Sequence, residues 1–198
     1  MQTKYGIILS YEESFARAVA LGVIIREPLT VWHFMIPAVF IFDFFRRKRD
    51  TEIFTRNFLF VKKLALDAAL DINKGEDRQS RLARIENETR DRLTSQKLYS
   101  WGIHQGQMKE VNLLIDHYFK LLEAEGNSYE SLIKNAYQTQ ENYEALLHQL
   151  TSIEREIDRA VIKTLGETEE IWQSMLTKHT VIDEMRTRGV RKLFLKAR

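Results

Sequence analysis

Cysteine is absent from the 198-residue chain, and proline occurs only twice. The first absence excludes disulfides, thiolate metal sites and cysteine nucleophiles. With only 8 glycines as well, the chain is too poor in turn formers for the many short strands of a sandwich or barrel. A few long helices joined by short turns are expected, an all-α fold. Other absences narrow the chemistry. No Gly-x-Ser-x-Gly elbow is present, and "WGIHQGQMK" has neither the spacing nor the Lys-Ser/Thr ending of a phosphate loop. Glu-x-x-His, the ligand pattern of two-metal bundles, does not occur. There is no internal repeat and no low-complexity segment.

Apolar residues make up 44% of the chain and charged residues 29%, which excludes general disorder and a chain embedded in membrane throughout. The net charge of +2 conceals a segregation. From Arg46 to Ser100 there are 14 Lys/Arg against 9 Asp/Glu, and from Trp101 to Met185 there are 7 against 15. The last thirteen residues, "RTRGVRKLFLKAR", carry six cations and no anion. Basic ends on an acidic middle suit contact with a polyanionic surface. No cleavable signal peptide is expected at the N-terminus.

One apolar run stands out. The seventeen residues Leu29–Phe45 hold only two ionisable side chains, His33 and Asp43, and "RRKR" follows at once. The run is apolar on every face and leaves no polar stripe for water. Trp32, Phe34, Pro37, Phe40, Phe42, Phe44 and Phe45 are the expected membrane anchor. Arg46, Arg47, Lys48 and Arg49 are the expected contacts to anionic lipid. Seventeen helical residues span about 25 Å, short of a hydrocarbon core of roughly 30 Å, and Pro37 would kink the helix. A single-pass span, a re-entrant or monotopic element and a helix buried at a protein interface therefore all remain open. If the run spans, the positive-inside bias places the remainder on the cytoplasmic side. His33 and Asp43 are read as interface anchors.

Helix periodicity sets the expected architecture: residues 1–49 as an amphipathic helix plus anchor, and 50–198 as an antiparallel helical bundle with coiled-coil character and a basic tail. The first helix is expected to start near Tyr11, after a capping box of Ser10 and Glu13. Phe15, Ala18, Val19, Gly22 and Ile25 form its stripe, with Glu12 off it. The next helix after the anchor is expected at 51–72, capped by Asp50 and seamed by Phe54, Phe58, Val61, Ala65, Ala68 and Ile72, with Gly75 closing it. An arginine-rich, polar helix over 77–99 reads as a surface helix or oligomer contact. "WGIHQGQ" is expected to break the chain. A helix over 108–125 follows, with Met108, Val111, Ile115, Tyr118 and Leu122 inward. A second capping box is expected at Asn127 and Glu130. Residues 129–165 read as one unbroken helix, with Gln140 and Glu154 interrupting its apolar stripe, and Gly166 turns it into the last helix through Ile171, Met175, Ile182 and Met185.

Histidines 104, 117, 148 and 179 are the candidate metal ligands. Glu144 with His148, and His179 with Asp183, share helix faces at i,i+4, but such pairs arise readily on exposed faces. "IEREID" reads as a solvated face, since Glu154, Glu156 and Asp158 diverge at 100° per residue. No metal, cofactor or catalytic residue is expected. The basic tail, with Val190, Leu193, Phe194 and Leu195 between its cations, suits either a membrane surface or docking against an acidic bundle. The expected function is a non-enzymatic, membrane-associated scaffold, adaptor or accessory subunit of a membrane complex. Its expected partners are lipids and a protein or a second copy of the chain, rather than nucleic acid. Two other readings stand beside it: a soluble subunit with residues 29–45 buried at an interface, and a bundle that binds a metal or ligand.

Overall fold

The computed structural model describes residues 2–26 and 47–194, and these form seven α-helices with no strand among them. The helices are α1 (Gln2–Arg26), α2 (Arg47–Asn73), α3 (Arg78–Ser95), α4 (Trp101–Glu123), α5 (Tyr129–Tyr137), α6 (Gln140–Leu165) and α7 (Glu169–Phe194). Paired contacts fix the directions. Tyr5 meets Asp67, Glu12 meets Lys62 and Phe15 meets Phe58, so α1 and α2 run antiparallel. Asn57 with Arg92 and Asp71 with Arg81 set α3 against α2 in the same way. Arg78 with Asp116 and Thr89 with Met108 reverse the direction again for α4. Lys109 with Glu156 turns α6, and Glu154 with Arg186 turns α7, which returns alongside α1 where Gly22 lies against Val181. The result is an up-down bundle closed by α7 on α1, with α4 packed on both α2 and α6.

The α2 and α4 seams are where periodicity puts them. Phe54, Val61, Ala65 and Ala68 are buried, and so are Val111, Ile115, Tyr118 and Leu122. Leu66 is buried as well, because α2 is covered by α1, α3 and α4 rather than by one neighbour. On α3 the buried residues are only Ile85, Thr89 and Leu93, which fits a surface helix. Gly75 and Gly166, at φ of 102° and 101°, provide the left-handed turns after α2 and α6.

Several boundaries differ from the expectation. α1 starts at Gln2, because Ile8 is in the core and Ile7 and Leu9 pack against it. The Ser10 carbonyl simply accepts from Ser14 Oγ at 2.8 Å inside the helix. α2 begins at Arg47, so Asp50 lies inside the helix rather than at its N-cap position. "WGIHQGQ" is helical, with Ser100 as N-cap. Gly106 serves close packing there, since a Cβ would stand 2.6 Å from Ile157 Cγ1. The capping box lies at Ser128 and Ser131, not Asn127 and Glu130. Residues 129–165 are two helices: Gln138 at φ 63° stops α5, and Thr139 caps α6 by accepting from the Asn142 amide. That break lets Leu132, Ile133 and Tyr137 turn into the core.

Candidate functional site

Two features of the bundle bear on function: a polar interior and an apolar pole. The interior is built from α1, α2, α4, α5, α6 and α7. Lys62 Nζ donates to Glu12 Oε2 at 2.9 Å, with 6% and 7% of the two side chains exposed. The ammonium also lies 5.8 Å and 5.4 Å from the ring centres of Phe15 and Phe58, a cation–π setting. Burial would push the Glu12 carboxyl up, but the adjacent Lys62 holds it below the ordinary carboxylate value. Glu12 was expected off the apolar stripe and turns out buried, because α2 supplies its counter-charge.

Beside this pair, His117 Nδ1 shares a 2.7 Å hydrogen bond with the Tyr137 hydroxyl. Burial lowers the imidazole to about 4, so it is neutral at physiological pH. Tyr11 and Tyr129 stack with ring centres 3.5 Å apart, and Tyr137 and Tyr143 meet at 5.2 Å. Glu110 of α4 faces the same region. Burial, then the nearby Glu154 carboxylate, raises it to about 7.

The acidic run on α6 corrects the expectation of a solvated face at two of its three carboxylates: Glu156 is exposed, but Glu154 and Asp158 are withdrawn from solvent and paired. Glu154 accepts two bonds from Arg186, at 2.7 and 2.8 Å, and Arg186 also donates to Thr151 Oγ1 at 2.7 Å. Glu156 pairs with Lys109 at 2.6 Å. Asp158, which is buried, sits 2.5 Å from Lys178 Nζ and 2.9 Å from His179 Nε2. Burial raises the Asp158 and Glu154 carboxyls and the paired cations pull both below their ordinary values. The basic tail follows the docking expectation through residue 194: Val190 and Leu193 are buried, and Phe194 lies 6.2 Å from Tyr143, ring centre to ring centre.

Two cavities adjoin this interior. A chamber of about 40 Å³ is lined by Glu12, Lys62, His117, Tyr129 and Tyr143, among others. A groove of about 550 Å³ opens between α6 and α7. Leu147, Arg186 and Val190 line both.

The apolar pole is at the end of the bundle where α1, α3 and α6 finish and α2, α4 and α7 begin. Among the described residues, the large apolar side chains left in solvent are Leu21, Tyr99, Trp101, Leu165, Trp172 and Leu176, and every one lies toward this end. Trp101 is 68% exposed and Leu176 is 56% exposed. The end of α1 at Arg26 and the start of α2 at Arg47 both lie here. Gly22 touches Val181, so α7 extends about 18 Å past that contact whereas α1 extends about 6 Å. The α6–α7 hairpin therefore overhangs, carrying Leu165, Trp172 and Leu176.

The expected anchor residues Trp32, Phe34, Pro37, Phe40, Phe42, Phe44 and Phe45 lie outside the described residues, as do His33, Asp43 and Arg46. Arg47, Lys48 and Arg49 are the first residues of α2. Among the described residues no helix is long and apolar enough to cross a membrane, and no group of three or more His, Asp or Glu side chains is placed to hold a metal ion. His179 and Asp183 are drawn to different partners, Asp158 and Arg155. His117 and His104 are buried, His104 against the Glu86 carbonyl at 3.2 Å. The Glu12–Lys62 pair was missed at the sequence level, while Glu154 had a signal, as a carboxylate on an apolar stripe. No protein-family model matches the chain, and no curated protein or solved structure resembles it.

Proposed function

We propose that this protein is a non-enzymatic, membrane-associated helical scaffold, an adaptor or accessory subunit of a membrane protein complex, whose bundle stands on the bilayer by its apolar pole. One observation carries this reading. The solvent-facing Leu21, Tyr99, Trp101, Leu165, Trp172 and Leu176 gather at the end where the chain departs into its most apolar run, residues 29–45. A monomer in water gains nothing from such a gathering, whereas Trp and Tyr rings favour the headgroup layer. Arg47, Lys48 and Arg49 open α2 at the same end, with Arg46 next to them in sequence, and each cation is worth about 1 kcal/mol against an anionic leaflet. Residues 29–45 act as the anchor, with the bundle on the cytoplasmic face. Three interior carboxylates support a positioning role: Glu12, Glu154 and Asp158 are paired with Lys62, Arg186 and Lys178, contacts that tie neighbouring helices together.

The test keeps α1 in place, because Ile8, Ala16, Val19 and Ala20 belong to the core. Residues 29–45 are replaced by a Gly/Ser linker of equal length, and flotation with phosphatidylcholine/phosphatidylglycerol vesicles is compared with the full chain. In a Trp32→Phe background, brominated lipid is expected to quench Trp101 and Trp172. A full chain that stays in the aqueous fraction without detergent, its tryptophans unquenched, overturns the proposal.

A further inference from the structure

The α6–α7 groove and the chamber behind it are absorbed by neither the scaffold role nor the apolar pole. At about 550 Å³ the groove falls within the size range of small-molecule clefts. Leu147, Arg186 and Val190 line both the groove and the smaller chamber, so the two adjoin. In the chamber Leu114, Leu146 and Leu150 and the ring of Tyr143 offer apolar surface. Within the groove itself the apolar residues are Leu147 and Val190, on the side that adjoins the chamber.

Its charges are unevenly spent. Arg155 is held by Asp183 at 3.1 Å, and Arg186 by Glu154. Glu144 accepts from Gln140 at 2.9 Å, at the far end of the groove. Arg159 is exposed and has no ion-pair partner among the described residues, although it lines the groove. Arg159 and Leu147 are twelve residues apart on α6, about 18 Å along the axis. A guanidinium at one end and the aliphatic Leu147 and Val190 at the other match a molecule with an anionic head and a single apolar chain, since guanidinium donors pair with carboxylate or phosphate oxygens.

We propose that the α6–α7 groove is a binding site for a single-chain organic anion, its carboxylate or phosphate head on Arg159 and its chain directed to Leu147 and Val190. The site is separate from the membrane pole and holds whether or not the pole meets lipid.

The experiment titrates octanoate and octyl phosphate into full-length protein in lipid nanodiscs, with empty nanodiscs as the blank. Octylammonium and octanol serve as controls of equal length. Saturable binding of one or both anions is expected, the tighter of the two identifying the head group, with neither control saturating. Arg159→Ala is expected to weaken binding at least tenfold without changing the helical circular dichroism. Leu147→Trp, which fills the inner end of the groove, is expected to remove binding even with Arg159 intact. The proposal is overturned if neither anion saturates, if octylammonium binds as tightly, or if Arg159→Ala binds like the unaltered protein. Flotation of Arg159→Ala with vesicles is expected to match that of the parent chain, which separates failure of this site from failure of the membrane reading.

Discussion

Arg186 of α7 grips Glu154 of α6 through two hydrogen bonds of 2.7 and 2.8 Å, with 7% and 11% of the two side chains exposed. Burial weakens the charged form of each, and the partner restores it: Glu154 is held below the ordinary carboxylate value and Arg186 above the ordinary guanidinium value. Removing one partner strands the other charge. Arg186→Met is expected to cost about 3–5 kcal/mol, while the double change Glu154→Leu with Arg186→Met recovers most of it. Urea unfolding of the two single variants and the double variant measures the coupling. Additive losses would show that the pair does not act as a unit.

Glu110 offers a pH test. Burial, then Glu154, lifts its carboxyl to about 7, above an unfolded value of roughly 4.3. A raised folded value means that the unfolded state releases its proton first as pH rises. The contribution of Glu110 is therefore fully present below about pH 4 and is lost progressively as pH rises toward 7. Glu110→Gln keeps the neutral shape and is expected to stabilise the protein at pH 8 by on the order of 2 kcal/mol, after discount for its partial exposure, with little effect at pH 4. His117 works in the opposite sense: its folded value of about 4 is lowered, so its contribution is present above the unfolded value near 6.5 and is lost as pH falls toward 4. Urea midpoints of His117→Gln, Glu110→Gln and the parent across pH 4–8 separate the two. A Glu110→Gln advantage that stays constant with pH would refute the assignment.

What could be read from the sequence follows from where one neighbour decides a side chain's fate. The α2 and α4 seams were legible because their stripes meet continuous apolar faces, as with Val61, Ala65, Val111 and Ile115. Glu12 and Lys62 were not, because each looks like a surface residue until α1 and α2 are set side by side. The break before α6 was hidden too: Gln138 is an ordinary helix former, and its φ of 63° is imposed by the packing of Tyr137 and capping by Thr139. Replacing Gln138 with Gly, at ease at that φ, is expected to stabilise the chain by about 1 kcal/mol, read from the thermal midpoint. The groove was out of reach as well, since it exists only where α6 and α7 leave space between them.

Gly106 and Gly6 carry the last test, because both are glycines inside helices and only one is packed. Alanine normally gains about 0.5–1 kcal/mol over glycine within a helix. At Gly6 a Cβ would meet nothing within 4 Å, so Gly6→Ala is expected to stabilise by roughly that amount. At Gly106 a Cβ would stand 2.6 Å from Ile157 Cγ1 and 3.7 Å from Ile157 Cα. The nearer atom is a side-chain branch of α6, so relief requires either a new Ile157 rotamer or separation of α4 from α6. Gly106→Ala is expected to cost about 1–3 kcal/mol despite its better helix propensity. Adding Ile157→Ala removes the obstructing branch, so the pair is expected to be less destabilised than the two single losses summed. Denaturant unfolding of Gly6→Ala, of the Gly106→Ala and Ile157→Ala single variants and of their double decides it. Equal gains from Gly6→Ala and Gly106→Ala would mean that α4 and α6 are not in contact at this level, and the direction of α6 in the bundle would have to be redrawn.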